Sequence, residues 1–304
     1  MTDNCLLKFV LCAVISLWGC GIPRTTQLVE LTRIGDIVFE EGARTTTLQP
    51  PSIPNEVRAA SLSSSGELAV AWDDGIAVYP SLSSPSARKK VAARTDGLAW
   101  SPSGDSLAVV LSKGRTGALV IFDWEILPIF EVELPKRPGR ELGNHRTAVS
   151  WNTSGSVISI SSRSIGGMQI GEDFGHCALF YHRTASGLQF LFKEELSDVA
   201  FLSDTHLIAN AGREGDETFE FVLGADLSKV EIGHRIDAIA PCNADPLRGI
   251  AVLWKRRRLN LLEPIGTRFP VAWYQDGDLT SATRRDLDYQ SEVLIVPVGG
   301  DREP

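Results

Sequence analysis

A chain of 304 residues is long enough for one large β domain or two ordinary ones. Hydrophobic residues make up 43% and charged residues 22%, so a sizeable core can form and wholesale disorder is excluded. A net charge of −8 argues against a nucleic-acid partner, which calls for a basic face, and five cysteines are too few for a dense disulfide scaffold.

In chain order, the first feature is Phe9 to Trp18, an unbroken apolar run of ten residues between Lys8 and Gly19-Cys20. Ten residues give about 15 Å of helix, half of what a bilayer requires, so the run fits the core of a signal peptide. The ending Leu17-Trp18-Gly19-Cys20 resembles the bacterial lipoprotein signal, although Trp18 stands where that family has a small residue. The resemblance implies cleavage after residue 19 and a lipid on Cys20, with residues 20–26 as a short tether and residues 27–304 as the folded domain. A conventional cleaved signal is the alternative.

Leu28 to Phe39 alternates well enough for an early strand pair, and Thr45 to Glu56, with Pro50, Pro51 and Pro54, reads as an extended connector. A repeat follows. Ala59 to Val70, Gly97 to Val110, Ala148 to Ile160 and, more weakly, Val199 to Ala209 share one plan, with a degenerate copy around Ile239 to Cys242 and Gly249 to Leu253. A short apolar strand ends in a large residue, a Ser/Pro/Asn/Gly turn follows, and a second apolar strand returns. Third strands are expected at Ile76–Tyr79, Ala118–Phe122, Ala178–Tyr181, Phe219–Val222 and Leu259–Leu262. The landmarks Leu62, Trp100, Trp151, Phe201 and Pro241 are 38, 51, 50 and 40 residues apart, a mean near 45, the period of a four-stranded propeller blade.

The stretch Leu98-Ala99-Trp100-Ser101-Pro102-Ser103-Gly104, followed by Leu107-Ala108-Val109 and Ile121-Phe122-Asp123-Trp124, resembles the WD-repeat and TolB-type propellers. The resemblance implies an all-β fold, a single propeller of six or seven four-stranded blades. An open sheet edge invites aggregation, so the segment after the signal is expected to close the ring by pairing with a terminal strand over Ser291 to Val298.

Linear motifs for chemistry are missing: no GxSxG, no GxxxxGK[ST] and no HExxH occurs. Glu172, Asp173, His176 and His182 match no zinc spacing, and no metal or cofactor is expected. Cys177 and Cys242 fall in non-neighbouring blades and read as two separate buried thiols rather than a disulfide. The loops joining second and third strands are charged. They carry Asp73 and Asp74, then Lys113 and Arg115, then Glu172 and Asp173, then Arg213, Glu214, Asp216 and Glu217, and finally Lys255, Arg256, Arg257 and Arg258.

Hairpin tips are solvated and so commonly charged. A ring of tips on one face can also read a protein partner by charge complementarity, and the cations Lys113, Arg115, Arg213 and Lys255 to Arg258 are the candidate contacts. The expected function is a non-catalytic, membrane-anchored platform for a protein partner in a bacterial envelope. The rivals are an envelope enzyme with a central-channel site, lactonase-like or glycan-processing, and a small-ligand or glycan receptor. Inward carboxylates or histidines at a channel mouth would favour the enzyme.

Overall fold

The computed structural model describes residues 26–39, 44–52, 56–92, 94–113, 116–134, 146–163, 177–211, 217–223, 228–231, 236–241, 248–253, 268–269, 271–275, 278–281, 287–288 and 292–297. The chain opens with β1 (Thr26–Leu31), β2 (Asp36–Phe39) and β3 (Arg44–Thr47). Five four-stranded antiparallel sheets then follow one another. Sheet I is β4 (Val57–Leu62), β5 (Leu68–Trp72), β6 (Gly75–Tyr79) and β7 (Lys89–Ala92). Sheet II is β8 (Thr95–Trp100), β9 (Ser106–Lys113), β10 (Thr116–Asp123) and β11 (Pro128–Leu134). Sheet III is β12 (Arg146–Trp151), β13 (Val157–Arg163), β14 (Ala178–Thr184) and β15 (Gly187–Glu194). Sheet IV is β16 (Leu196–Phe201), β17 (His206–Ala211), β18 (Glu217–Val222) and β19 (Ser228–Glu231). Sheet V takes β20 (Ile236–Pro241) and β21 (Arg248–Leu253), passes over β22 (Arg268–Phe269), and adds β23 (Val271–Gln275) and β24 (Asp278–Ser281). A two-stranded ribbon pairs β22 with β25 (Leu287–Asp288).

The last strand, β26 (Glu292–Pro297), pairs antiparallel with β1 and builds a composite sheet of order β26-β1-β2-β3. The two ends of the folded region are thus joined edge to edge, as the sequence suggested. The inner strands pack in a circle: β4 on β8, β8 on β12, β12 on β16, β16 on β20, β20 on β26, and β26 back on β4. Five sheets follow the chain and one is assembled from its two ends; the described residues hold no seventh four-stranded sheet.

Burial explains the strand composition. Every residue of β5, β6 and β16 is buried, because neighbouring sheets cover both faces; β5 and β6 are accordingly almost continuously apolar, while β16 also buries Ser197 and Asp198. Period two sorts the side chains: Leu107 and Val109 of β9 pack towards sheet I, Ala108 and Val110 towards sheet III. The outer strands face water and alternate, as in β7 and β11.

The five landmarks are each the last residue of an inner strand, which sets the repeat register. Trp100 and Trp151 are equally buried, each 5% exposed, in the sheet I/II and II/III cores. Gly66, Gly104 and Gly155 have φ of +89°, +75° and +69°, which is why the first-to-second turns need glycine. Two expectations are corrected. The third strand of sheet V is Val271–Gln275, paired to β21, while the expected Leu259–Leu262 lies outside the described residues. Arg44–Thr47, placed largely in a connector by the sequence, is the outer strand of the composite sheet.

Candidate functional site

The expected contact cations lie at or beyond the ends of second strands. Lys113 closes β9 opposite Thr116 in the register of β9 and β10. Arg115, Arg213, Lys255, Arg256, Arg257 and Arg258 lie outside the described residues, as do Cys20, Glu172, Asp173, His176 and Cys242. The acidic tip that is described, Asp73-Asp74, is locked into its sheet. Arg58 of β4 pairs with Asp73, the Glu56 amide donates to the Asp73 carboxylate at 3.2 Å, and Ser52 donates to Asp74. That tip holds the entry to sheet I in place.

At the same end of the ring four inner strands carry a polar residue near their start in a bulge: Arg58, Asp96, Asp198 and Asp237 sit in register shifts of their strands. Asp198 is buried at φ +51°, a conformation strained for a non-glycine residue. Its carboxylate accepts from the Asn210 amide at 2.9 Å, and Asn210 accepts from the Thr218 hydroxyl at 2.5 Å. This chain runs outward across three strands of sheet IV. Among the described residues no group of three or more His, Cys, Asp and Glu side chains could hold a metal. Cys177 is a free thiol, half-buried where the sequence suggested full burial, and burial pushes its pKa up, with Lys193 pulling down and Glu195 adding to the rise.

The opposite face, where the first-to-second and third-to-fourth turns emerge, carries a feature the sequence did not announce. A groove of about 600 Å³ opens between sheets II and III. Its floor is hydroxyl-rich (Ser103, Ser154, Ser156 and Thr184) and one wall is apolar, from Ile129 and Phe130. Arg183, near the end of β14, enters it with its side chain 25% exposed. The guanidinium lies 5.7 Å from the centre of the Trp151 ring, and Trp151 is itself fixed by its indole N–H donating to the Ala99 carbonyl at 3.0 Å. The nearest carboxylate, Asp105, is 3.8 Å away and 61% exposed. Among the described residues no side-chain hydrogen bond reaches the Arg183 guanidinium. Burial works to raise the Asp105 pKa, but the hydroxyls of Ser106, Ser103 and Ser101, with Arg183, outweigh it and hold the group below its ordinary value.

Exposed large apolar side chains stand on the rims of the two sheets that flank this groove. Trp124, Leu127 and Ile129 stand on the β10–β11 turn and the start of β11, and Phe190 and Leu191 on β15. Trp124 is 56% and Phe190 51% exposed, and of the exposed large apolar side chains among the described residues only Ile34 lies elsewhere. Phe190 stands edge-on to Tyr181, with ring centres 5.6 Å apart, and Leu191 falls in the bulge between β14 and β15.

Sequence reasoning also missed the serines one residue before the landmarks. Ser61 accepts the Trp100 backbone N–H at 2.9 Å, and Ser150 accepts that of Phe201 at 2.8 Å, so each ties one sheet to the next. Ala99 has no hydroxyl, and there the Trp151 indole makes the link instead.

No protein family matches the sequence, and neither does any curated protein. Solved structures do. A protein of unknown function from Bacteroides caccae covers 92% of this chain and 100% of its own at 12% identity, with a TM-score of 0.60. The β-propeller domain of Cps50 (Swd1) from Myceliophteria thermophila covers 86% of this chain and 84% of its own at 16% identity, with a TM-score of 0.50. The chain is a β-propeller. Identities this low speak to the fold alone, so the propeller's use must be argued from its surfaces.

Proposed function

We propose that this chain is a non-catalytic β-propeller, tethered to a bacterial membrane through a lipid on Cys20, that serves as a protein-interaction platform in the cell envelope. We count its composite sheet as a blade of its own, six in all. The observation that carries the platform reading is the concentration of Leu127, Ile129, Phe190 and Leu191 on the rims of two neighbouring sheets, while Trp124 of the same turn is engaged by Arg88 of sheet I. Soluble surfaces scatter such residues singly; their concentration on two adjacent sheets favours a contact surface. The tether reading rests on the apolar run ending at Gly19-Cys20. No helix of the described residues is long and apolar enough to cross a membrane. The engagement of Asp198 with Asn210 supports a structural use of that carboxylate over a catalytic one. The net charge of −8 supports a protein partner over a nucleic acid.

Two measurements test the proposal. Cys20→Ser should release the chain from the membrane fraction or leave the signal uncleaved, and the intact mass of the mature protein should show Cys20 as a lipidated N-terminus. A mature mass that begins elsewhere without lipid contradicts the tether. For the platform, reversing Arg256, Arg257 and Arg258 to Glu should slow capture of an envelope partner and change its salt dependence, because rim charges act mainly on association rate. Capture indifferent both to that reversal and to charged substitutions at Ile129 and Phe190 contradicts it.

A further inference from the structure

The groove between sheets II and III holds an arginine whose donors are largely unused among the described residues. A guanidinium offers five N–H donors in a planar fork that matches a carboxylate. Arg183 is three-quarters buried, held in place by the Trp151 ring, and makes one loose ionic contact at 3.8 Å. Asp105, the partner in that contact, already accepts from the hydroxyls of Ser101 at 3.0 Å and Ser106 at 2.8 Å. It is therefore a placeholder, an acceptor satisfied on its own side of the groove that leaves the Arg183 fork open.

We propose that this groove binds an extended acidic segment of a partner protein, with a carboxylate forked on Arg183 and an adjacent apolar side chain against Ile129 and Phe130. The proposal rests on the platform reading and names its partner's chemistry. A carboxylate fits better than a phosphate, because among the described residues Arg183 is the one cation lining the groove and Asp105 stands beside it. A doubly charged anion would meet one positive and one negative charge at close range. An extended segment fits better than a small free acid for two reasons. The apolar surface continues past Ile129 and Phe130 to Phe190, which stands edge-on to Tyr181 of the same inter-sheet core. The outer strands β11 and β15, which flank the seam, are also the last strands of their sheets among the described residues, and an outermost strand can hydrogen-bond to a peptide backbone.

The test uses the full lipidated chain in detergent and two fluorescein-labelled probes, acetyl-Leu-Glu-Leu-amide and its Gln counterpart, followed by anisotropy. The Glu probe should bind about tenfold more tightly than the Gln probe, the value of one charge-assisted fork. Arg183→Gln should erase that preference, and Arg183→Lys, which keeps the charge and loses the fork, should reduce it. Asp105→Asn should strengthen Glu-probe binding by removing the internal competitor, a gain that misfolding cannot mimic. Acetate should displace the Glu probe more effectively than inorganic phosphate at equal concentration. Equal binding of the two probes, a preference that survives Arg183→Gln, no gain from Asp105→Asn, or stronger displacement by phosphate each overturns the assignment. If the preference holds while the chain captures no envelope protein, the platform reading fails and the carboxylate site stands; the reverse result removes the groove alone.

Discussion

Two neighbouring seams of this propeller each use an arginine, a tryptophan and a carboxylate and come out differently. Between sheets I and II, Arg88 forks onto Glu67 at 2.6 and 3.0 Å, donates to the Trp124 carbonyl at 3.0 Å and lies 6.0 Å from the Trp124 ring centre. Lys89 closes the same seam onto the Glu125 carbonyl and lies 3.7 Å from its carboxylate. Between sheets II and III, Arg183 has the ring of Trp151 and a carboxylate at 3.8 Å, and a groove remains beside it. The first seam spends its donors on the fold and the second keeps them. An arginine over a tryptophan is therefore not by itself a sign of a site; what distinguishes Arg183 is the fork left open.

The largest effects should come from the tryptophans beneath the seams. Trp151→Ala and Trp100→Ala should each cost about 3–5 kcal/mol in urea unfolding, as for other buried aromatics. Phenylalanine separates them. The Trp151 indole is bonded to the Ala99 carbonyl, whereas the Trp100 indole N–H is buried without a hydrogen-bond partner among the described residues. Trp151→Phe should thus be about 1 kcal/mol more destabilising than Trp100→Phe. Equal costs would mean that the indole link does not hold sheet II to sheet III.

Next comes the inner end of the open seam, which is tight although its rim is open. A side chain at Gly97 would meet the Thr147 carbonyl oxygen across the β8–β12 approach. Gly97→Ala should cost about 1–3 kcal/mol, the range for overpacking. A neutral result would show that these inner strands can separate freely.

The contrast between the seams predicts smaller differences at the rim. Glu67→Gln breaks a two-pronged pair about three-quarters buried on both sides and should cost about 1 kcal/mol. Asp105→Asn, at an exposed and loose pair, should cost under about 0.5 kcal/mol. Reversed magnitudes would erase the distinction between a closed and an open seam. The smallest effect is acid dependence. The Asp204 carboxyl is held low first by the Thr153 hydroxyl and then by Ser154 across the sheet III/IV turns, with burial working the other way, and Asp105 is also held low. Groups lowered on folding stabilise above the ordinary carboxylate range and lose that contribution as pH falls through their folded values. Melting curves of the wild type, Asp204→Asn and Asp105→Asn should therefore differ at neutral pH and converge in acid.

Much of the ring could be read locally. A large residue followed by a Ser/Pro/Gly turn marks the end of an inner strand, and Leu62, Trp100, Trp151, Phe201 and Pro241 all fall there. Pairing of the two chain ends could be read as well, because an unpaired edge demands a partner. Where the signal became nonlocal, reading failed. Arg44–Thr47 has no apolar alternation because it is an outer edge, and the third strand of sheet V is chosen by register with β21 among several apolar runs. The groove was invisible for the same reason. Arg183 is a lone cation in a strand, and its meaning comes from Trp151 and Asp105, which only the closed ring brings beside it.

The most direct test of the platform account is site-specific photo-crosslinking of the full chain in its native envelope, with the crosslinker placed in turn at Ile129, Phe190 and Arg88. The account predicts one discrete partner captured from Ile129 and Phe190, at the open seam, and none from Arg88, at the closed one. No adduct from the open seam, or the same adducts from all three positions, would contradict it.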